Sequence, residues 1–205
     1  MSRGRTHVEV AESALAAGAS AIQLRDKTAA LRSLSTDAVR LREITRSEGV
    51  SFIVNDYVDL ALAVGADGVH LGQDDLPLPA ARRVAGTELV IGKSTHTLEQ
   101  AIEAEQEGAD YIAIGPVFAT GTKRGVPPVG TALVAEVCRR VTVPVVAIGG
   151  IKVHNISGVI AAGAAGAAVV SEVVSADDPE MVCRRLIAEM ERARCIEKGG
   201  NAAGS

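Results

Sequence analysis

The sequence SFIVNDYVDLALAVGADGVHL, from Ser51 to Leu71, contains one complete strand–helix–strand unit. The apolar runs Ser51–Val54 and Gly68–Leu71 are the predicted strands, and the segment between them has the length and pattern of a helix. The phrase AVGADG ends that helix with a glycine, which can take the left-handed conformation of a helix C-terminus. The unit therefore predicts two parallel strands joined by a right-handed crossover.

The same pattern recurs along the rest of the chain. The phrases AAGAS, EQEGAD and AAGAAG also end a helix with glycine before a strand. The other predicted strands are nearly continuous in apolar residues, as strands covered on both faces should be: Ala21–Leu24, Leu89–Gly92, Tyr111–Gly115, Val143–Ile148 and Ala167–Val170. Predicted helices include Thr97–Glu107 and Thr131–Arg140.

The number of predicted strands decides the fold class. Seven strands fit an α/β fold of the TIM (β/α)8-barrel type, lacking its first strand, better than a doubly wound sheet. No GxGxxG follows the first strand, which argues against a dinucleotide-binding fold. Thr6 and Glu9 have the spacing of a capping box, so the chain is expected to open directly into a helix. The edges of the first and last strands would then lack partners. We expect a sequence that starts late, with an open barrel or a partner covering the gap as alternatives.

The composition favours one globular domain without nucleic-acid or membrane partners. A chain of 205 residues with 47% hydrophobic residues can bury a core. We expect a single barrel domain at 1–198 and a disordered tail at 199–205. The net charge of −4 and the aromatic content of 2% argue against a nucleic-acid surface. With no apolar run long enough to span a membrane and no signal peptide, we expect a cytoplasmic protein. Its oligomeric state stays open, a homo-oligomer included.

Polar residues concentrate where the predicted strands end. The first strand leads into QLRDK (23–27), the second into Asn55-Asp56, the third into HLGQDD (70–75) and the fourth into KSTH (93–96). Single charges at such places are often solvated loop residues. In a βα-barrel, however, the carboxyl ends of all strands meet at one rim, where the active site lies. The sequence therefore predicts the site at this rim.

The charged residues at this rim suggest a phosphate and a metal. Arg25 and Lys27 can point to the same side and donate to phosphate oxygens. Asp56 and Asp75 follow adjacent strands, and two carboxylates with phosphate oxygens and water are typical ligands of Mg²⁺. Asp56 could alternatively be a helix N-cap.

A second anion site is predicted at the ends of the last two strands. Gly150 and the Val170-Ser171 turn offer backbone N–H groups near helix N-termini, where this fold commonly binds phosphate. Between the fifth strand and the next helix, 119–128 is long and rich in glycine and proline. It has the composition of a mobile lid, or alternatively of a simple surface loop, bearing Thr120, Thr122 and Lys123.

These phrases resemble those of the thiamine phosphate synthase (thiamine phosphate pyrophosphorylase) family, in family order from Ala21 to Pro179. GVHLGQDDLP together with GPVFATGTK is highly specific. The resemblance implies a transferase that condenses 4-amino-2-methyl-5-hydroxymethylpyrimidine pyrophosphate with thiazole phosphate. The products would be thiamine phosphate and pyrophosphate, formed by Mg²⁺-assisted dissociative loss of pyrophosphate.

The resemblance also implies a role for each matching residue. Gln23 would contact the pyrimidine, and Ser94 would lie near the leaving group. The pyrophosphate would be held by Arg25, Lys27, Asn55 and Lys123, and Mg²⁺ by Asp56 and Asp75. The thiazole phosphate would be held by Thr120, Thr122, Gly150, Val170 and Ser171. The expected catalytic residues are Arg25, Lys27, Ser94 and Lys123.

Two other functions remain as alternatives. A thiazole tautomerase-like relative typically has a histidine where this chain has Pro116. A non-catalytic phosphate-binding barrel is the other. Two residues depart from the family pattern: Lys93 replaces a usually apolar residue, and Glu172 a usually small one. His70 is interpreted either as a pyrimidine-pocket residue or as a packed histidine, because the implied reaction needs no general base.

Overall fold

A computed structural model of the chain describes residues 4–121 and 127–202. Within these ranges it has seven strands: β1 Ala21–Leu24, β2 Ser51–Asn55, β3 Gly68–Leu71, β4 Val90–Thr95, β5 Tyr111–Ile114, β6 Val145–Ile148 and β7 Gly166–Ala168. The helices of the described residues are α1 His7–Ala16, α2 Leu31–Ser47, α3 Val58–Ala63, α4 Leu78–Ala85, α5 Leu98–Gln106, α6 Gly130–Arg140, α7 Ile156–Ala161, α8 Ser171–Val174 and α9 Pro179–Ala202. No helix in the described part of the chain is long and apolar enough to cross a membrane.

All seven strands belong to one parallel sheet in the order β1 to β7, so each strand pairs with its neighbours in sequence. This sequential order is that of a TIM barrel, which confirms the predicted fold class. Among the described strands, β1 pairs only with β2 and β7 only with β6. Within the described residues the sheet is therefore an open barrel of seven strands, an arrangement that was one of the alternatives open from the sequence.

The register of the sheet separates an apolar face from a polar one. Val69 of β3 is paired with Ile91 of β4, and both are fully buried under the helices. One residue further along, His70 is paired with Gly92, which is paired with Tyr111 of β5. Because successive side chains alternate between faces, this second row lies on the inner face of the barrel. The core thus packs outside the sheet, and polar groups line its interior.

Five of the seven strands differ from the predicted bounds, two of them by a single residue: β2 extends to Asn55 and β5 ends at Ile114. β4 begins at Val90 and extends to Thr95, beyond the predicted Leu89–Gly92, because its last residues still pair with β5 as far as Ile114. β6 begins at Val145 rather than Val143. Pro144, which precedes it, has no backbone N–H to contribute to a ladder. β7 is Gly166–Ala168 rather than Ala167–Val170.

The ends of the chain include one confirmed local prediction. Thr6 Oγ1 accepts from the N–H of Glu9 at 3.2 Å, and the N–H of Thr6 donates to Glu9 Oε2 at 2.7 Å, completing the capping box of α1. At the other end, α9 continues to Ala202. The expected disordered tail is thus wrong for 199–202, where the helix simply continues, and stays a prediction for 203–205, which lie outside the described residues.

Candidate active site

Charges from three neighbouring strand ends meet at the rim of the barrel. Lys27, after β1, places its Nζ 3.4 Å from Oδ2 of Asp56, which follows β2. The carboxyl group of Asp56 in turn lies within hydrogen-bond reach of Asp75, which follows β3. Arg25 is exposed at the end of β1, where it makes no hydrogen bond or ion pair with the described residues. The structure thus brings Lys27, Asp56 and Asp75 together.

Asp56 has an unusual backbone conformation. Its φ of +68° is the only positive φ at a non-glycine position in the described part of the chain. A left-handed residue of this kind costs about 1 kcal/mol or more, and such residues cluster at functional sites. The N-cap of α3 is Tyr57, which makes no side-chain capping bond, so the interpretation of Asp56 as an N-cap is wrong. Asn55 instead donates its side-chain amide to the Asp56 carboxylate.

The two carboxylates perturb each other. Burial, the hydrogen bond with Asp75 and the negative charge of Asp75 raise the pKa of Asp56, against the opposing effect of Lys27. Burial opposes ionisation of Asp75, but the bonds with Asp56 and the Gly72 N–H, together with Lys27 and Lys93, hold its pKa below the ordinary value. Two acidic groups this close are at their most stable with a cation between them.

The chemistry of this pair fits a hard divalent cation. Both ligands are carboxylate oxygens, the type that Mg²⁺ prefers. The described residues contain no group of three histidine, cysteine or acidic side chains arranged to hold a metal. A metal here would therefore depend on substrate oxygens and water for its remaining ligands.

The turn that presents Asp75 is held by its first residue. The N–H of Gly72 donates to Asp75 Oδ2 at 2.6 Å. A Cβ atom on Gly72 would lie 2.9 Å from the same oxygen, so a side chain there would displace the Asp75 carboxylate. In the GQDD phrase, the glycine thus shapes the turn, while the last aspartate supplies the carboxylate.

A hydrogen-bonded row of side chains crosses the inner face of the barrel. His70 Nδ1 is 2.8 Å from the hydroxyl of Tyr111, and His70 Nε2 is 2.8 Å from Oγ of Ser94. Tyr111 also bonds Gln23, and its burial raises the pKa of the phenol despite that bond. The row links Gln23 and Ser94, two predicted substrate-binding residues, through His70 and Tyr111.

Sequence reasoning missed Tyr111, because it stands at the start of β5 and not at a strand end. The signal for it was Gly92, its partner in register. A Cβ atom on Gly92 would lie 2.0 Å from Cζ of Tyr111, so the ring lies directly over the glycine. Glycine within a strand often marks such a close approach.

Backbone rather than charge shapes the other end of the rim. Gly150 has a φ of +65°, and a Cβ there would lie 2.7 Å from the carbonyl oxygens of Phe118 and Ala119. Asn155 holds the turn, since its Nδ2 donates to the carbonyl of Gly150 at 3.1 Å and its Oδ1 accepts from the Lys152 N–H at 2.7 Å. In this tight turn, Gly150 can offer a ligand only its backbone groups.

The next strand end supplies Val170 and Ser171. Val170 is exposed and forms the N-cap of α8, and Ser171 is the first residue of that helix. Glu172 has its carboxylate 4.0 Å from Nζ of Lys152. The negative charge of Glu172 therefore faces a cation.

Comparison with known proteins agrees with this geometry. The family model described as thiamine monophosphate synthase matches residues 1–173. The thiamine-phosphate synthase of Shouchella clausii (strain KSM-K16) is 51% identical over 191 residues, covering 93% of this chain and 91% of the relative. That of Methanocella arvoryzae (strain DSM 22066 / NBRC 105507 / MRE50) is 51% identical over 195 residues, covering 95% and 92%.

The chain belongs to the thiamine monophosphate synthase family. The sequence-based recognition is thereby confirmed. Among solved structures, thiamine phosphate pyrophosphorylase from Pyrococcus furiosus superimposes with a TM-score of 0.88 at 40% identity, covering 93% of this chain and 92% of that one. A 3-hexulose-6-phosphate synthase, with a TM-score of 0.74 at 18% identity, shares only the fold.

The predicted site residues of this thiamine monophosphate synthase family member fall into three groups. The first is in direct contact at the ends of β1 to β3: Lys27, Asn55, Asp56 and Asp75. The second group lies at the rim or on the inner face of the barrel, outside that cluster: Gln23, Arg25, Ser94, Thr120, Gly150, Val170 and Ser171. Thr122 and Lys123 lie outside the described residues, so the lid and their roles stay predictions.

Proposed function

We propose that the chain carries out its reaction by losing pyrophosphate first and forming the new carbon–nitrogen bond second. The overall reaction follows from family membership: a transferase of thiamine biosynthesis joins a pyrimidine pyrophosphate to a thiazole phosphate. In the first step the methylene C–O bond breaks and its electron pair leaves with pyrophosphate. In the second, the lone pair of the thiazole nitrogen bonds the pyrimidine methylene carbon.

The single observation that supports this route best is the contact between Lys27, Asp56 and Asp75. Asp56 and Asp75 would hold Mg²⁺, since they face each other and together supply only oxygen ligands. When bound, the ion supplies charge neutralisation for the departing pyrophosphate.

The cations of β1 would bind the leaving group. Arg25 and Lys27 are exposed at the rim, so the charged groups of both side chains can reach phosphate oxygens. In a preorganised site, each donor aimed at developing charge stabilises the transition state by about 3 kcal/mol. Asn55 would help by fixing Asp56, to which it already donates. Lys123 is proposed as a further pyrophosphate ligand on the strength of the family phrase alone.

The pyrimidine would lie in the barrel mouth above the polar row. Gln23 is exposed at the opening of that row and bonded to Tyr111, so its amide is already oriented. Ser94 lies near the leaving group in this proposal, with its hydroxyl held by His70. No residue needs to remove a proton, because the nitrogen that attacks carries none.

The thiazole phosphate would occupy the other end of the rim. Gly150, Val170 and Ser171 offer backbone N–H groups, and Ser171 adds a hydroxyl, at the ends of two adjacent strands. Thr120 and Thr122 would contribute hydroxyls from the segment after β5. The two phosphate groups thus bind at separate places, which leaves room between them for bond formation.

The direct test incubates the purified chain with both phosphorylated substrates and Mg²⁺, and measures thiamine phosphate and pyrophosphate. A second arm replaces the 2-methyl group of the pyrimidine with trifluoromethyl, which withdraws electrons from the cation. Dissociative loss of pyrophosphate should then become much slower, whereas an attack concerted with departure would be less affected. Binding of thiazole phosphate without turnover would favour a non-catalytic barrel, and isomerisation of the thiazole would favour a tautomerase.

A further inference from the structure

Lys93 is a charged residue in an otherwise apolar row of the sheet. It is paired in register with Leu71 of β3 and Ile112 of β5, both fully buried on the helix-facing side. Lys93 itself is only 8% exposed. No carboxylate of the described residues lies within ion-pair distance of its Nζ, although burial of an ammonium group is costly. A residue this unfavourable for the core needs another explanation.

The contacts of Lys93 lead to the turn that presents Asp75. Its Nζ donates to the carbonyl oxygen of Gly72 at 2.8 Å, and the N–H of the same Gly72 donates to Asp75 Oδ2 at 2.6 Å. The positive charge of Lys93 is also close enough to act on the Asp75 carboxylate. Lys93, Gly72 and Asp75 therefore form one chain of hydrogen bonds that ends at the carboxylate.

A second contact ties the same turn to the same strand. The side-chain amide of Gln73 donates to the carbonyl oxygen of Ser94, the residue after Lys93. Lys93 and Gln73 thus hold the turn to β4 at two adjacent points. Of the two, Lys93 is the one whose contact continues to Asp75.

We propose that Lys93 is a positioning residue for the metal-binding pair: it holds the turn from Gly72 to Asp75 so that the Asp75 carboxylate faces Asp56. The inference rests on the proposed magnesium site and deepens it. Lys93 lies on the outer face of the sheet and touches no substrate, so it acts only through Gly72 and Asp75. Partners of this kind, one layer behind the ligands, orient a metal site strongly.

A conservative replacement is sterically available. A cavity of about 160 Å³ lies beside Lys93, and its other lining residues are Gln73, Asp75, Pro77, Gln100, Glu103, Ala104 and Glu107, so two further carboxylates, one on α5 and one at its C-cap, face the same space. A guanidinium group can extend into this space and still donate to the carbonyl of Gly72. Lys93→Arg should therefore keep the function of the residue, while Lys93→Met keeps its length and apolar stem but removes the donor and the charge.

The test measures metal binding without turnover. Mn²⁺, which prefers the same oxygen ligands, is titrated by electron paramagnetic resonance into the full chain with saturating pyrophosphate. We expect Lys93→Met to weaken Mn²⁺ binding about tenfold or more. The Mg²⁺ concentration needed for half-maximal activity should rise by the same factor. The KM for thiazole phosphate should not change. Lys93→Arg should bind Mn²⁺ nearly as tightly as the unaltered chain. Arg83→Met, which removes an exposed charge on α4, is the matched control and should change nothing.

The outcomes separate the inference from the proposed function. If the unaltered chain binds no Mn²⁺ with pyrophosphate, the magnesium site itself is wrong. If it binds Mn²⁺ and Lys93→Met binds it equally well, only the role of Lys93 is wrong, even if the melting temperature of that variant falls. Should Lys93→Met not fold, Lys93→Leu, which also lacks the donor and the charge, replaces it, and normal Mn²⁺ affinity in that variant likewise overturns the inference.

Discussion

The two ends of the barrel rim are formed by different chemical groups. At the ends of β1 to β3, the side chains of Lys27, Asp56 and Asp75 are in contact, and two of these three are acids. At the ends of β6 and β7, the site is mainly backbone, shaped by a glycine that tolerates no side chain and by a short helix. In the proposed reaction the pyrophosphate gains negative charge as it departs, whereas the charge of the thiazole phosphate does not change. The proposed function therefore places the departure of pyrophosphate at the charged end and the binding of thiazole phosphate at the backbone end.

The comparison is tested most severely by removing one carboxylate from the charged end. Asp75→Asn should lower kcat by about 10²–10³-fold, as expected when a preorganised charge in a transition state is lost. Asp74→Asn, which changes the adjacent exposed carboxylate, is the control and should leave kcat within about twofold. Steady-state kinetics at saturating Mg²⁺ provide the measurement. Equal effects of the two variants would remove Asp75 from the metal site.

A substitution at the backbone end of the rim should affect different properties. Gly150→Ala places a Cβ against two carbonyl oxygens at a positive φ, which should lower the free energy of unfolding by about 1–3 kcal/mol. It should also raise the KM for thiazole phosphate more than the Mg²⁺ requirement. Gly166→Ala in β7, where a Cβ meets no atom within 4 Å, is the matched control. Urea unfolding and steady-state kinetics would detect both effects, and a change mainly in Mg²⁺ dependence would break the division between the two ends.

The polar row between the two ends should show an intermediate effect. Tyr111→Phe removes the hydroxyl that bonds Gln23 and His70, and leaves the buried His70 ring without that partner. We expect the free energy of unfolding to fall by about 1–3 kcal/mol and the KM for pyrimidine pyrophosphate to rise. Tyr57→Phe, at the N-cap of α3, provides the comparison. If only stability changes, the row is structural and does not orient the pyrimidine site.

The smallest effect is expected at Glu172. Its ion pair with Lys152 is 4.0 Å long and partly exposed, so Glu172→Gln should change the free energy of unfolding by less than about 0.5 kcal/mol. The KM for thiazole phosphate should stay nearly constant, because Lys152 already faces this charge. A marked fall in that KM on titration of substrate would instead mean that Glu172 repels the bound phosphate.

Local patterns were predictable wherever neighbours in sequence decide the structure. The capping box of Thr6 and Glu9 depends on two residues in one turn, and it forms as expected. β3 is found at Gly68–Leu71 as predicted, since a nearly continuous apolar run between a helix-ending glycine and a polar turn suffices to define a buried strand. Lys93 shows the limit of this reasoning. A lysine within a strand resembles a loop residue, and its pairing with Leu71 and Ile112 places it in β4.

The sequence by itself determined the order of strands and helices, the rim where the polar residues gather, and the family. These features depend on local apolar patterning and on short phrases that are read along the chain. Only the tertiary structure decided that Asp56 takes a left-handed backbone, that it meets Asp75, and that Tyr111 joins the polar row. The reason is that such contacts depend on strand register, and a shift of one residue would send each side chain to the opposite face of the sheet.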